Sequence, residues 1–285
     1  MFTVKAKANV NVKDLVPLTV AVLNEKGGVG KTTTVLNLGH ELAFRGLNVL
    51  LLDLDHRADL TKGSGVALAD GQPSILDALS ENPPDFATCA VPVPGDTRGS
   101  LSVVGAERDL AVLELDLAGL SPFDRPGRLR PLLEWGRANY HCVLLDAPPG
   151  LGVLTSMILG SVDTLLVPQE PSFLAASGVR ELELTLREFA SVGVGVGVLG
   201  ILITKVRSTT HHRDYMEMIR ARYGKLVFDT FIPESVRYQE APAFGMSIRE
   251  YLGGRGPLVE AYSRLADEVM VRWQDDEARS MPLPQ

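Results

Sequence analysis

The sequence predicts an α/β fold: a doubly wound, mostly parallel sheet with helices on both faces, in a single domain. Short apolar runs alternate with helical patterns along most of the 285 residues, and this alternation is typical of such a fold. The apolar runs are continuous rather than interrupted at every second residue, as expected for strands that helices cover on both faces. Together the two observations indicate one sheet with apolar core on each side.

Seven apolar runs have the length of strands. The predicted strands are Leu18–Asn24, Asn48–Asp53, Leu101–Gly105, Cys142–Asp146, Thr164–Pro168, Val198–Lys205 and Leu226–Phe231. Helical patterns lie between or after them, at Thr32 to Arg45, Arg128–Asn139, Ala175–Val192 and Pro257–Trp273. We therefore place the domain at residues 18–273, after an extension over residues 1–17 and before a polar, proline-containing tail over residues 274–285.

Composition argues against several classes of protein. Hydrophobic residues make up 45% of the chain and charged residues 22%, so a sizeable core can form and wholesale disorder is not expected. The net charge of −7 argues against a generally basic nucleic-acid coat, but it leaves a local basic face open. The two cysteines lie far apart without metal-like spacing, which predicts a reducing, cytoplasmic setting. No membrane-spanning run is predicted.

A glycine-rich segment between the first predicted strand and the first predicted helix is the most specific motif. It reads Lys26-Gly27-Gly28-Val29-Gly30-Lys31-Thr32-Thr33. Such a turn aims several backbone N–H groups at one point, at the positive end of the helix dipole, and this arrangement binds phosphate. Lys31 then supplies charge to the outer phosphates, and the Thr32 hydroxyl is placed to ligate magnesium. The ordinary pattern requires glycine at the position of Glu25, so this loop is a variant that begins with a second lysine.

Aspartates stand where two predicted strands end. Asp53 and Asp55 lie at the end of the second strand. Because side chains two residues apart in a strand point to the same side of the sheet, both are expected to face the same way. Asp146 ends a later strand, and strand ends line the ligand crevice of an open parallel sheet. Each aspartate taken alone is better explained as a helix cap or a solvated turn residue. With a phosphate loop in the same crevice, Asp55 and Asp146 are predicted to be functional, Asp146 in association with magnesium, while the role of Asp53 stays open.

These segments together resemble the ParA/Soj group of partition ATPases, within the MinD-like class of phosphate-loop proteins that carry a deviant Walker A motif. The resemblance extends from about Leu18 to Met270. The matching segments are Asn24–Thr33, Asp53–Asp55, Leu144–Gly152, Phe228–Pro233 and Val236–Pro242. One segment departs from the family, because His56-Arg57-Ala58-Asp59 stands where the family usually has Pro-Gln-Gly-Asn.

The resemblance implies roles for individual residues and two cofactors, ATP and Mg²⁺. Lys31 would bind the β- and γ-phosphates and Thr32 the magnesium, while Asp146 would hold the metal through water. Lys26 would reach the partner's nucleotide in an ATP-dependent homodimer. Asp55 would position or activate the attacking water and is a further candidate for the metal. The adenine-side wall would comprise Pro233, Glu234 and Val236. A membrane-binding relative would end in a basic amphipathic helix, whereas Trp273–Glu277 is acidic, so no membrane partner is expected.

The family binds DNA nonspecifically, and the resemblance therefore implies a DNA-binding surface. The locally basic segment Lys205 to Lys225 is the main candidate. Its six lysines and arginines against two acidic residues give six minus two, or +4. The DNA-binding candidates are Arg207, Arg213, Arg220, Arg222 and Lys225; a weaker cluster is Arg125, Arg128 and Arg130. On the predicted helix, Tyr215, Met218 and Ile219 are expected to pack inward, with Arg213 and Arg220 on another face. A solvated helix with an Arg213–Glu217 ion pair is the alternative explanation.

Taken with the resemblance, the sequence therefore predicts a dimerising ATPase of the nucleoid that binds DNA nonspecifically and segregates a chromosome or plasmid. Its partner would be a ParB-like centromere-binding protein that stimulates hydrolysis. The alternative function comes from a different class: a positioning ATPase for a protein cargo, which acts through surface adaptors and not through DNA.

Overall fold

The computed structural model describes residues 10–107, 109–172, 183, 184, 186, 187, 190, 195–279 and 281. The strands are β1 Leu18–Val22, β2 Val49–Asp53, β3 Ala90–Pro92, β4 Leu101–Val104, β5 Cys142–Asp146, β6 Thr164–Gln169, β7 Gly197–Val206 and β8 Val227–Pro233. They form one sheet of eight strands in the order β3-β4-β2-β5-β1-β6-β7-β8. Neighbouring strands pair in parallel, except that β3 runs antiparallel to β4.

Helices cover both faces of this sheet. They are α1 Lys31–Phe44, α2 Asp59–Gly63, α3 Ile75–Ala78, α4 Phe86–Cys89, α5 Leu110–Ala118, α6 Pro126–Asn139, α7 Val153–Leu159, α8 Thr210–Tyr223, α9 Arg237–Ala243, α10 Ile248–Tyr251, α11 Pro257–Gln274 and α12 Asp276–Arg279. The helix predicted at Ala175–Val192 falls almost wholly outside the described residues. None of the described helices combines the length and the apolar character that a bilayer crossing requires.

Adjacent side chains of one strand enter two separate cores. Leu50 and Leu52 of β2 join the core that α6 and α7 cover, whereas Leu51 joins the core that α1 and α11 cover. All three side chains are fully buried, which explains why the strand is apolar at every position. The predicted doubly wound, mostly parallel sheet is therefore confirmed.

Edge strands differ from the sequence-based expectation. β3 was not predicted, since three residues that end in Pro92 carry little strand signal. β8 alternates between buried and exposed positions from Phe228 onward, because an edge strand has one face partly open to solvent. The Glu268 carboxylate accepts hydrogen bonds from the backbone N–H groups of Asp229 and Thr230, both at 2.8 Å.

The inward face of α8 also differs. Its buried side chains are Met216, Ile219 and Tyr223, which follow the spacing of three and four residues that defines one face of a helix. Of the predicted inward set of Tyr215, Met218 and Ile219, Ile219 is buried and Tyr215 is half-buried, but Met218 is 61% exposed and its prediction is wrong. The sequence alone could not choose between two overlapping apolar stripes on a helix with few apolar residues.

Candidate nucleotide site

The glycine-rich loop lies at the carboxyl end of β1, the strand between β5 and β6. Gly28 and Gly30 have φ angles of 76° and 93°, in the left-handed region that glycine adopts without steric cost. Gly30 immediately precedes α1, and no side chain caps the first N–H groups of that helix. Those groups can therefore bind an anion, as expected at a helix N-terminus. The neighbouring Val29 is fully buried, and its carbonyl accepts a 2.8 Å hydrogen bond from the Thr204 hydroxyl of β7.

Lys31 folds back over this loop. Its ammonium group donates to the backbone carbonyls of Asn24 at 3.1 Å and Lys26 at 3.3 Å, so it lies where a bound phosphate would approach. Burial lowers the pKa of Lys31, while the negative charges of Asp146 and Asp55 act in the opposite direction.

A threonine–aspartate pair joins α1 to β5. The Thr32 hydroxyl donates to Oδ2 of Asp146 at 2.7 Å, and the other carboxylate oxygen, Oδ1, is buried without a hydrogen-bond partner. Burial, and next the charge of Asp53, raises the pKa of Asp146 well above its usual value. A buried, unpartnered carboxylate oxygen beside a hydroxyl fits a magnesium ion or one of its waters, because Mg²⁺ prefers oxygen ligands.

The two aspartates at the end of β2 have different surroundings. Asp53 is fully buried, and its Oδ2 accepts from the backbone N–H of Thr61 at 2.9 Å and from the Thr61 hydroxyl at 2.6 Å. Its Oδ1 accepts from the N–H of Asp55 at 3.2 Å. Asp53 therefore anchors the loop after β2. Asp55 lies nearer the crevice opening, and its Oδ1 accepts from the N–H of Arg57 at 3.0 Å.

The segment that departs from the family forms a tight turn. Ala58 has a φ of 53°, a left-handed conformation in a non-glycine residue, and it precedes α2. Its N–H donates to the carbonyl of Asp55 at 2.9 Å, so the turn fixes the backbone of that aspartate. Arg57 and Asp59 form an ion pair at 2.8 Å on the exposed side.

Lys26 contacts a residue that sequence reasoning missed. Its ammonium group lies 3.0 Å from Oε2 of Glu170, which directly follows β6. The other oxygen of Glu170 lies 2.9 Å from the ammonium group of Lys205, near the end of β7. Lys205, placed by the sequence at the start of the basic segment, therefore lies beside the phosphate loop. An acidic residue just after a strand of a parallel sheet is the signal that could have identified Glu170.

The proposed adenine-side residues lie at the end of β8. The N–H of Glu234 donates to the carbonyl of Val206 at 3.0 Å, which joins this segment to the end of β7. Pro233 ends β8, and Val236, 65% exposed, leads into α9. Arg207 forms a two-pronged ion pair with Glu234, with Nη2 2.7 Å from Oε1. Arg207 is therefore held at this wall by an acidic neighbour.

The remaining basic candidates divide into paired and exposed side chains. Arg222 forms a 2.9 Å ion pair with the buried Glu183, and Arg220 donates to the carbonyl of Asp229 at 3.3 Å. Arg213 and Lys225 are exposed, and the described residues include no Arg213–Glu217 ion pair. In the weaker cluster, Arg125 bonds to Ser156, Arg128 to Glu81 and Arg130 to the carbonyl of Gly160.

The fold and this crevice together define a phosphate-loop nucleotide-binding protein. A family model described as an AAA domain matches residues 18–192. The chain is 36% identical to the chromosome partitioning protein ParA of Caulobacter vibrioides, over 93% of this chain and 98% of that protein. It is 38% identical to the chromosome-partitioning ATPase Soj of Thermus thermophilus, over 90% of this chain and 96% of that protein. The chain therefore belongs to the ParA/Soj family of partitioning ATPases.

Solved structures agree with the fold. A cobyrinic acid a,c-diamide synthase from Mycobacterium smegmatis with a bound ATP analogue and magnesium is 29% identical, with a TM-score of 0.74 over 95% of this chain and all of that one. The ATP complex of a Cyanothece McdA variant is 21% identical, with a TM-score of 0.75 over 90% of this chain and 97% of that one. At that identity the second likeness concerns the fold alone.

Proposed function

We propose that this chain binds ATP and Mg²⁺, dimerises on ATP, binds DNA nonspecifically and segregates a chromosome or plasmid with a ParB-like partner that stimulates hydrolysis. The observation that carries the proposal is the nucleotide crevice of a ParA/Soj family member, with Lys26 at the outer end of its phosphate loop. Relatives named for chromosome partitioning match nearly the whole chain, which supports the assignment to DNA segregation.

Within the crevice, each residue has a separate task. The N–H groups at the start of α1 hold the phosphates, and Lys31 replaces its two carbonyl contacts with phosphate oxygens. Thr32 and the unpartnered oxygen of Asp146 would hold magnesium, which when bound neutralises charge on the phosphates. Asp55, fixed by the turn that follows it, orients the attacking water. Lys26 extends toward the nucleotide of the second subunit.

DNA would bind through the exposed cations of α8 and the turn after it. Arg213 and Lys225 are the residues best placed for phosphate contacts, because Arg207 and Arg222 already pair with Glu234 and Glu183. Two copies of this surface in an ATP dimer would double the number of contacts. The same pairing also favours the rival function, a positioning ATPase for protein cargo, since it reduces the positive charge available to DNA.

Binding to unrelated DNA duplexes over a salt series, with and without ATP, separates the two functions. Each phosphate contact contributes a slope of about −0.9 in log affinity against log salt, so dimerisation should steepen the slope as well as tighten binding. Arg213→Glu with Lys225→Glu removes two cations per subunit, and the slope should then become shallower by up to about 3.6 for the dimer. The loss should be alike for every sequence, because phosphate contacts carry no base information.

A matched control changes the charge equally at another place. Arg255→Glu with Arg264→Glu alters two exposed residues outside the basic segment and should leave DNA affinity close to wild type. If both double variants lose affinity equally, total charge rather than α8 governs binding. If the wild-type protein shows no ATP-dependent DNA binding, the protein-cargo function replaces this proposal.

A further inference from the structure

We propose that Glu170 restrains dimerisation by holding Lys26 within its own subunit, and that Lys205 weakens this hold. The inference rests on the proposed role of Lys26 at the partner's nucleotide. It makes Glu170 and Lys205 positioning residues that set how readily the ATP-bound chain dimerises.

One carboxylate joins the two lysines. Oε2 of Glu170 lies 3.0 Å from the Lys26 ammonium, and Oε1 lies 2.9 Å from the Lys205 ammonium, so each lysine has its own oxygen. The side chain of Glu170 is 20% exposed, and those of Lys26 and Lys205 are 40% and 41% exposed. Burial alone would raise the pKa of Glu170, but the hydrogen bonds from Lys205 and Lys26 outweigh burial and lower it, so the carboxylate is charged.

The backbone of β7 places Lys205 at this point. Lys205 has a φ of 53°, a conformation that costs energy in a residue with a Cβ atom and that persists only where its surroundings hold it. The preceding residue, Thr204, donates its hydroxyl to the carbonyl of Val29 and so fixes the end of β7 to the phosphate loop. A Cβ atom on Gly28 would lie 4.0 Å from the Lys205 ammonium. Lys205 is thus part of the loop's immediate surroundings.

This arrangement predicts opposite effects for the two neighbours of Lys26. To reach the second subunit, Lys26 must leave Glu170, which would then be a partly buried carboxylate close to anionic phosphates. Lys205 remains on that carboxylate and compensates its charge, so it makes the departure of Lys26 easier. Without Lys205, the whole charge of Glu170 acts on Lys26 and the restraint becomes stronger.

The test is the dimer association constant, measured by sedimentation equilibrium at a saturating concentration of a nonhydrolysable ATP analogue. Saturation removes any contribution from altered nucleotide affinity. Partly exposed ion pairs shift an equilibrium by about 2- to 5-fold, and each dimer releases two of them, so Glu170→Gln should strengthen dimerisation by roughly 4- to 25-fold. Lys205→Met, which removes the ammonium group and keeps the rest of the side-chain length, should weaken dimerisation.

Two controls separate this restraint from general effects of charge. Glu260→Gln removes the same charge from an exposed ion pair on α11 and should leave dimerisation unchanged. Glu170→Gln combined with Lys26→Ala should be no better a dimer than Lys26→Ala alone, because the effect acts through Lys26. Thermal unfolding of each variant checks that it is folded.

The outcomes distinguish the inference from the function on which it rests. If Lys26→Ala dimerises like wild type, the cross-subunit role of Lys26 is wrong. If Lys26→Ala is monomeric but Glu170→Gln matches wild type, only the restraint is wrong. The restraint is also wrong if Lys205→Met dimerises more strongly than wild type. Glu170→Gln and Lys205→Met would then act in the same direction, whereas the restraint predicts opposite effects.

Discussion

Replacing Ala58 by glycine should leave the stability of the protein nearly unchanged, although Ala58 is buried and glycine usually weakens a fold. Ala58 has a φ of 53°, and the left-handed conformation costs a residue with a Cβ atom about 1–2 kcal/mol. Glycine avoids that cost but loses about 0.5–1 kcal/mol through the greater freedom of its unfolded chain. Removing the buried methyl group of Ala58 costs about a further 0.8 kcal/mol. The three contributions nearly cancel, so Ala58→Gly should change the free energy of unfolding by less than about 0.5 kcal/mol. At about 2.1 cal/mol/K of unfolding entropy per residue, a chain of 285 residues should then change its Tm by less than about 1 °C.

Urea unfolding of the nucleotide-free protein should therefore give a midpoint close to that of wild type, with an unchanged slope. Ala221→Gly is the matched control, because Ala221 is exposed within α8 and has ordinary helical geometry. That control should lose about 0.5–1 kcal/mol. If Ala58→Gly loses more than about 1 kcal/mol, as removal of a buried methyl group without relief of strain would, the turn does not carry the conformational cost that we assign to it.

Three further predictions concern the aspartates of the crevice. Asp55→Ala should keep ATP affinity but lower steady-state turnover by about 10²-fold or more, because loss of a general base has an effect of this size. Unchanged turnover would mean that another residue orients the attacking water. Asp146→Asn should remove the increase in Tm that Mg²⁺ adds to the ATP complex, whereas the increase in Tm caused by ATP in EDTA should persist. If Mg²⁺ raises the Tm of this variant as much as that of wild type, the proposed metal role is wrong. Burial raises the pKa of Asp53 to about 6 from 3.8, so its protonation favours the folded state. This contribution is complete below pH 4 and disappears as the pH rises through about 6, so wild type should lose stability relative to Asp53→Asn over that interval. Chemical unfolding of the two proteins over this pH range measures the loss. Parallel pH profiles would refute the assignment.

The sequence predicted the parts of the site whose chemistry is local. The phosphate loop, Asp55 and Asp146 follow from residue type, strand ends and the family resemblance. Glu170 and Lys205 escaped because their contact joins positions far apart in the chain. Lys205 also belonged to a run of positive charge that suggested a solvent-exposed surface.

Parts of the fold that depend on packing against other elements were harder to predict from the sequence. The central strands are apolar at every position because helices cover them on both faces. At the edge, β8 alternates, and β3 is too short to leave a pattern. The inward face of α8 could not be predicted, because helical spacing allows either Met216 or Met218 to pack against the sheet.

Both margins of the sheet resist the addition of further strands. At one margin β3 has only three residues and ends in Pro92, which cannot donate a backbone hydrogen bond. At the other, the carboxylate of Glu268 already occupies the N–H groups of Asp229 and Thr230, which an incoming chain would need for pairing. Two copies of this chain therefore gain little by aligning their sheets side by side, and open-ended stacking into fibres is disfavoured. The proposed ATP-dependent dimer would use instead the surface around the phosphate loop, where contact between subunits can be made conditional on nucleotide.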